Sequence, residues 1–449
     1  MSTGPVDLPI AGRTSARLLD LELHDQLEKI IPTTTVGDQQ TWLLVRLFGE
    51  ILGRWVVDVP ISGLTTEAIA DGVSERWGAQ LAERLGSDVA QRFTEGSLTP
   101  LGLLESAHRS SGTPYTAAHA EYLTRAPRIA VAICTRNRPD DLRRCVETLV
   151  AQDHPNFVVW IVDNGPGMPG TREVVEEFVG RLDIRYVPEP IPGLSRARNT
   201  VLAQDLEADV LAWLDDDTVA DPWWLSELAR GFDGRPDVSA VSGPVVPGEL
   251  DTAPQLWCEE FGGQTKGRGF TRAEFSPRTA HIQSPYWPTP PVGVGANMAF
   301  RVDVLRRFGF DEALGAGSRS QGCEDTMMFA LILRNGGTVV YLPTPLTRHF
   351  HRRDYESLLK QMKGYGSGLT AFYTALVVDH PTVVFPLARL SARALREVFS
   401  ESSDRHASIS DTFPRELLAA NRRGMAEGPY RYLRQRAENW RDRKHRARG

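Results

Sequence analysis

From Arg128 to Leu214, short apolar runs alternate with helix-patterned segments, and this alternation constrains the fold more than any other feature of the chain. "RIAVAIC", "FVVWIVD", "IRYV" and "DVLAWL" are apolar runs of strand length, separated by "PDDLRRCVETLVAQ", "TREVVEEFVG" and "LSRARNTVLAQ". The first separator puts Leu142, Cys145, Val146, Leu149 and Val150 on one helical face. It opens with Pro139 and two acids, as helix starts do. Strands that lack polar alternation are buried on both faces. The β-α-β-α-β-α-β order therefore predicts an α/β fold, a Rossmann-like and mostly parallel sheet with helices on both faces. Ligands of such sheets bind outside the carboxyl ends of the strands.

The last of these runs ends in Asp215, Asp216 and Asp217, within "DVLAWLDDDTVADPWW". Adjacent carboxylates at a buried strand end persist only where positive charge compensates them. The stretch itself holds no Lys or Arg. A divalent cation bound to phosphate would supply the charge, and Mg²⁺ or Mn²⁺ is commonly held by one or two carboxylates plus substrate phosphates. The competing reading is a solvated turn capped by Asp217 or Thr218.

Around this core, residues 41–60 read as two β-branched or aromatic runs about Gly49 and Gly53, a hairpin, and residues 65–85 as a helix. Residues 1–125 are thus expected to form a small hairpin-helix α+β accessory region, with "SSGTPYT" (110–116) as a linker. The main domain is expected over 126–365 and a C-terminal helical region over 366–449, with "GYGSGLT" (364–370) as a flexible hinge. The net charge of -6 offers no nucleic-acid footprint. From Pro414 to Gly449, however, 11 Lys and Arg face 4 Asp and Glu. This basic tail reads either as a solvated helix or as a contact for an anionic membrane. Four cysteines without paired spacing argue against a disulfide framework. No signal peptide or membrane span is read, so the expected location is cytoplasmic, with association at the inner membrane face as the tail's second reading.

Seven elements, taken in order, carry a resemblance: "VAICTRNRPDDLRRCVETL", "VVWIVDNGP", "PGLSRARNTVL", "WLDDDTVADPWWL", "GANMAFRVDVL", "GCEDTMMFALILRNGG" and "RHFHRRDY". Over residues 127–365 the chain resembles the family-2 glycosyltransferases, which bind nucleotide sugars on a GT-A fold. The resemblance implies that Thr135 and Asn137 line the nucleotide pocket, that Asp163 recognises the base, and that Arg198 and Asn199 lie near the nucleotide. Asn164 stands where the family often carries a second acid, so the base is left open. The resemblance places the family's DxD on Asp215 and Asp217, with Asp217 on the metal and Asp215 near the ribose or the metal. It makes His349 a metal ligand, with His351 as its rival. It makes the second acid of Glu324–Asp325 the catalytic base, with Glu324 as the alternative.

The implied activity is a metal-dependent inverting transfer from a nucleotide-diphosphate sugar to an acceptor hydroxyl, with Mn²⁺ or Mg²⁺ as cofactor. The acceptor class spans polysaccharide, glycolipid and secondary metabolite. Two other classes compete with it. One is a lapsed, nucleotide-sugar-binding or scaffolding protein of the same fold. The other is a nucleotidyltransferase, which would carry a Gly-rich, basic phosphate loop where this chain has "CTRNRPDD". Trp257, Phe261, Phe270, Tyr286 and Trp287 read equally as an acceptor groove or as packing under a long loop.

Overall fold

The structure is a computed structural model that describes residues 13–34, 37–264, 268–278, 292–389 and 409–446. The chain divides into two compact units, residues 1–125 with 249–256, and residues 126–248 with 257–449.

The first unit contains β1 (Arg17–Glu22), β2 (Gln39–Leu47), β3 (Glu50–Val59), α1 (Thr66–Leu85), α2 (Ser87–Thr94), α3 (Pro100–Arg109) and α4 (Pro114–Leu123). β1 runs parallel to β2, and β2 pairs antiparallel with β3 as the hairpin expected from the sequence. Its turn residues Phe48 (φ 49°) and Gly49 (φ 81°) both take the left-handed conformation that matches a two-residue turn to the strand twist. Leu43, Val45, Ile69, Val73 and Leu103 close the core of this unit. The expected linker at 110–116 is instead a helix start. Thr113 caps α4 and forms a capping box with Thr116, because Ser/Thr side chains at this spacing satisfy orphan N–H groups.

The second unit follows with β4 (Ile129–Thr135), α5 (Pro139–Val150), β5 (Phe157–Asp163), α6 (Thr171–Phe178), β6 (Ile184–Pro188), α7 (Leu194–Leu202) and β7 (Val210–Asp215). Next come β8 (Thr218–Ala220), α8 (Trp224–Arg230), β9 (Val238–Ser242), β10 (Val245–Pro247) and α9 (Ala253–Glu260), whose residues up to Leu256 are counted with the first unit. Then follow β11 (Ala273–Phe275), β12 (Asn297–Arg301), α10 (Val302–Phe308), α11 (Glu324–Arg334) and β13 (Thr338–Tyr341). β14 (Thr347–His349), α12 (Tyr355–Asp379) and α13 (Arg415–Arg446) complete the unit.

Eight strands form one sheet in the order β11-β13-β9-β12-β7-β4-β5-β6. The pairs β7–β4, β4–β5, β5–β6 and β13–β9 are parallel, while β12 is antiparallel to both neighbours. The chain leaves β4 toward β5 and β6, then returns to place β7 on the other side. A crevice therefore opens between the carboxyl ends of β4 and β7, the switch point where ligands of such sheets bind. A separate three-stranded sheet has the order β10-β14-β8. Its register puts His349 opposite Thr218, and thus beside the acidic turn.

The stretch "GYGSGLT" is not a hinge. It lies inside the 25-residue helix α12. Glycines here let two backbones approach: a Cβ on Gly366 would strike the Asn421 carbonyl oxygen, and one on Gly424 would strike that of Lys363. The contact is tied by Asn421 Nδ2 donating to Met362 O (2.9 Å) and Thr370 Oγ1 donating to Met425 O (2.8 Å). Among the described residues, no helix is long and apolar enough to cross a membrane, and the four cysteines form no disulfide.

Candidate active site

β7 delivers Asp215 at its end, and the turn into β8 carries Asp216 and Asp217. Their compensating charge comes from far along the chain. Arg138, at the start of α5, places Nη1 3.1 Å from Asp216 Oδ1 and 3.1 Å from Asp217 Oδ2. Arg352 Nη2 approaches Asp217 Oδ2 at 3.8 Å, and Thr135 Oγ1 donates to Asp216 Oδ2 at 2.7 Å. The sequence argument, which offered a phosphate-bound cation as the compensating charge, did not foresee these arginines. It searched the neighbouring residues, whereas the sheet brings the end of β4 alongside β7.

The three acids divide their charge unevenly. Burial pushes the Asp215 carboxyl up to about 7, against the pull of Arg198. Burial and the Asp217 charge push Asp216 up to about 6, against Arg138 and Thr135. Burial acts on Asp217 too, but His349, Arg138 and Arg352 outweigh it and hold that carboxyl well below the usual range. Asp217 is thus the permanent anion of the turn, the state a hard cation requires.

Arg198, fully buried in α7, joins this turn to the start of α11. Its Nη1 donates to Glu324 Oε1 (3.0 Å), and Nη2 lies 3.9 Å from Asp215 Oδ1. The guanidinium sits over Trp213 and Phe310, 5.3 and 5.2 Å from the ring centres, where cation–π attraction replaces lost hydration. Burial pushes Glu324 up to about 7, with Arg198 opposing the shift. Asp325 is half-buried. Its Oδ2 accepts from Gly295 N (2.7 Å) and its Oδ1 from Thr326 N (2.6 Å), the second an interaction expected of an acid in a helix's first turn. Gln321 (φ 68°) and Cys323 (φ 65°) both hold left-handed backbone just before this pair, a conformation costly for non-glycine residues and common at functional sites.

The remaining expected residues are engaged mostly with protein. Asp163 accepts from Tyr186 OH (2.8 Å) and Gly165 N (3.0 Å). Asn164 donates to Glu189 O (3.0 Å) and Ile191 O (2.7 Å) and accepts from Gly193 N (2.7 Å), pinning the loop into α7. Asn199 bonds both ends of its amide to the Phe310 backbone at 2.8 Å. Asn137 (φ 58°) shapes the turn after β4. Trp257 and Phe261 pack against Tyr355 and Phe413, the packing alternative of the sequence reading. Tyr286 and Trp287 lie outside the described residues.

His349 Nε2 lies 3.3 Å from Asp217 Oδ1, and its Nδ1 lies 3.1 Å from His351 Nδ1. His351 Nε2 in turn meets Glu259 Oε1 at 2.8 Å. Burial works against a charged His351, but Cys258 and Glu259 hold it well above its ordinary value. Among the described residues, no cluster of three or more His, Cys, Asp or Glu is assembled to hold a metal. Asp217 and His349 nonetheless fit two neighbouring positions on one ion. Ligands about 2.1 Å from an octahedral centre sit about 3 Å from each other. The remaining positions would fall to phosphate oxygens and water. Arg138, Arg352, Tyr186 and Glu259 were not singled out from the sequence. Arg138 and Arg352 lie inside the quoted motifs, whereas Glu259 carries no local signal.

A switch-point crevice with an acidic turn on one side and a second acidic pair facing it across a buried arginine forms the candidate site of this α/β unit. Residues 130–309 match the model of the family described as Glycosyl transferase family 2. Over 221 residues the chain is 27% identical to the glucosyl-dolichyl phosphate glucuronosyltransferase of Haloferax volcanii, covering 48% of this chain and 66% of that protein. Over 222 residues it is 29% identical to the succinoglycan biosynthesis protein ExoM of Rhizobium meliloti, covering 48% of this chain and 64% of that one. The chain thus spans just under two thirds of these relatives' lengths. Among solved structures, the mannosyltransferase PcManGT from Pyrobaculum calidifontis in complex with GDP-Man and Mn²⁺ aligns with a TM-score of 0.44 and 17% identity, covering 70% of this chain and 96% of that one.

Proposed function

We propose that this protein transfers a sugar, with inversion, from a nucleotide-diphosphate sugar to a hydroxyl of a polysaccharide or glycolipid acceptor. The observation that carries the reading is the meeting, across Arg198, of carboxylates from two separate elements: Asp215 at the end of β7 and Glu324–Asp325 at the start of α11. Inverting transfer needs donor-side and acceptor-side groups on opposite faces of the sugar, and two elements supply them. A divalent cation, Mn²⁺ or Mg²⁺, held by Asp217 and His349 would stabilise the departing diphosphate. Asp325, the more accessible of the acidic pair, takes the proton from the acceptor hydroxyl as that oxygen bonds to the anomeric carbon. The bond to the diphosphate breaks, and its electron pair leaves with the phosphate oxygen. Glu324 stays on Arg198 and fixes the start of α11.

The same reading includes contact with an anionic membrane through α13. Tyr430, Leu433 and Trp440 recur at helical spacing on one face and are exposed, at 66%, 49% and 55%. Exposed Arg441, Arg443 and Lys444 flank them, and Lys444 Nζ lies over the Trp440 ring at 3.7 Å. Aromatic and basic residues on one exposed face suit a lipid interface.

A panel of nucleotide sugars incubated with Mn²⁺ and assayed for released nucleoside diphosphate tests the reaction. Asp325→Asn is expected to lower turnover by about 10²–10⁴-fold, the usual worth of a positioned base, while nucleotide binding persists. Activity within a few-fold of wild type would remove Asp325 from the chemistry. A large loss in Glu324→Gln alone would move the base one residue back.

A further inference from the structure

Behind His349 lies a buried pair, His351 and Glu259. His351 Nε2 is 2.8 Å from Glu259 Oε1, His351 Nδ1 is 3.1 Å from His349 Nδ1, and His349 Nε2 is 3.3 Å from Asp217 Oδ1. Four side chains thus form one line from the end of α9 to the β7–β8 turn. The His351 and Glu259 side chains are 0% and 4% exposed.

Burying a carboxylate against a histidine is expensive, and packing alone would be served better by apolar groups. The segment after α9 is also shaped to admit the carboxylate. Gly263, at φ 52°, passes so close that a Cβ there would overlap Glu259 Oε1. The arrangement has a definite consequence for His349. Two facing Nδ1 atoms require one proton between them. With Glu259 accepting from His351 Nε2–H, a neutral His351 leaves its Nδ1 as an acceptor. His349 then donates through Nδ1–H, and its Nε2 lone pair points toward Asp217 Oδ1. When His351 holds both protons the line reverses and His349 Nε2–H faces Asp217 instead, so a cation at His349 requires the first arrangement. In both directions Glu259 fixes the ring of His351, and His351 fixes the ring plane of His349.

We infer that Glu259 and His351 are positioning residues that hold the His349 imidazole in the orientation needed to share a divalent cation with Asp217. The inference rests on the metal-dependent reading above and adds the groups that orient its nitrogen ligand. Outer partners of this kind typically contribute 10–100-fold in metal affinity.

The test is Mn²⁺ binding by the full chain in the presence of UDP or GDP, read by electron paramagnetic resonance of free Mn²⁺. His351→Phe keeps an aromatic ring but removes the bond to His349, and Glu259→Ala removes the far anchor. Each is expected to weaken Mn²⁺ by about 10–100-fold, with nucleotide affinity in EDTA unchanged. Glu259→Gln, which keeps an acceptor oxygen for His351 Nε2–H, is expected to recover most of the loss. Wild-type Mn²⁺ affinity in a folded His351→Phe protein would overturn the inference. So would equal losses in Glu259→Ala and Glu259→Gln. Wild-type protein that binds nucleotide but no Mn²⁺ would overturn the metal reading itself, a different failure.

Discussion

Replacing Arg198 with methionine tests the electrostatic logic of the site. Methionine keeps the stem packed against Trp213 and Phe310 and removes only the guanidinium. Glu324, 7% exposed, then loses a partner at 3.0 Å. Breaking a buried pair by deleting one member costs about 3–5 kcal/mol. The cost has a built-in limit, because Glu324 can take a proton. Its folded value of about 7 already lies above the ordinary 4.5. A raised carboxylate contributes stability that is fully present below its unfolded value and is lost as pH rises through the folded value. In wild type that loss ends near pH 7. Without Arg198 the folded value climbs further, so the loss continues above pH 7 at up to about 1.4 kcal/mol per pH unit. Asp215, 34% exposed and also at about 7, follows the same sign but is partly screened by water and adds less. Denaturant titrations of both proteins from pH 6 to 9, followed by a signal from the second unit, should show a deficit that widens with pH. A deficit constant across that range, or larger in acid, would refute the reasoning.

Nucleoside diphosphate at 100-fold excess over its Kd should stabilise the protein by about 2.7 kcal/mol in Mn²⁺; Asp217→Ala should abolish the metal-dependent part, and an equal shift in EDTA would sink the metal assignment. Gly366→Ala should destabilise the α12–α13 pair severely, because the clash is with the Asn421 backbone rather than a mobile side chain; a thermal midpoint within a degree of wild type would show that the helices are not so closely seated. Deleting residues 430–449 should abolish sedimentation with anionic vesicles at low salt, and no pelleting of the intact chain would refute membrane contact through α13.

Pattern along the chain was enough for the elements from β4 to β7 and their order. Apolar runs without alternation named the parallel strands, Pro139 and its acids marked the start of α5, and the acidic turn at Asp215 fell where a switch-point ligand belongs. Such signals are local, since propensity, capping and burial periodicity are read within a few residues. The same locality misled elsewhere, as at the 110–116 linker that is a helix start. "GYGSGLT" was read as a hinge because glycines loosen an isolated segment, yet a second helix packed against them makes them the point of closest approach. Arg138 was overlooked as the counter-charge because it lies 78 and 79 positions from the acids it holds. Only the pairing of β4 with β7 sets its helix beside their turn. The bond from Arg198 to Glu324 spans 126 positions and that from His351 to Glu259 spans 92. No periodicity encodes such contacts. They exist because strand order and register carry distant segments to one crevice, where low dielectric makes each charge depend on the partner that folding provides.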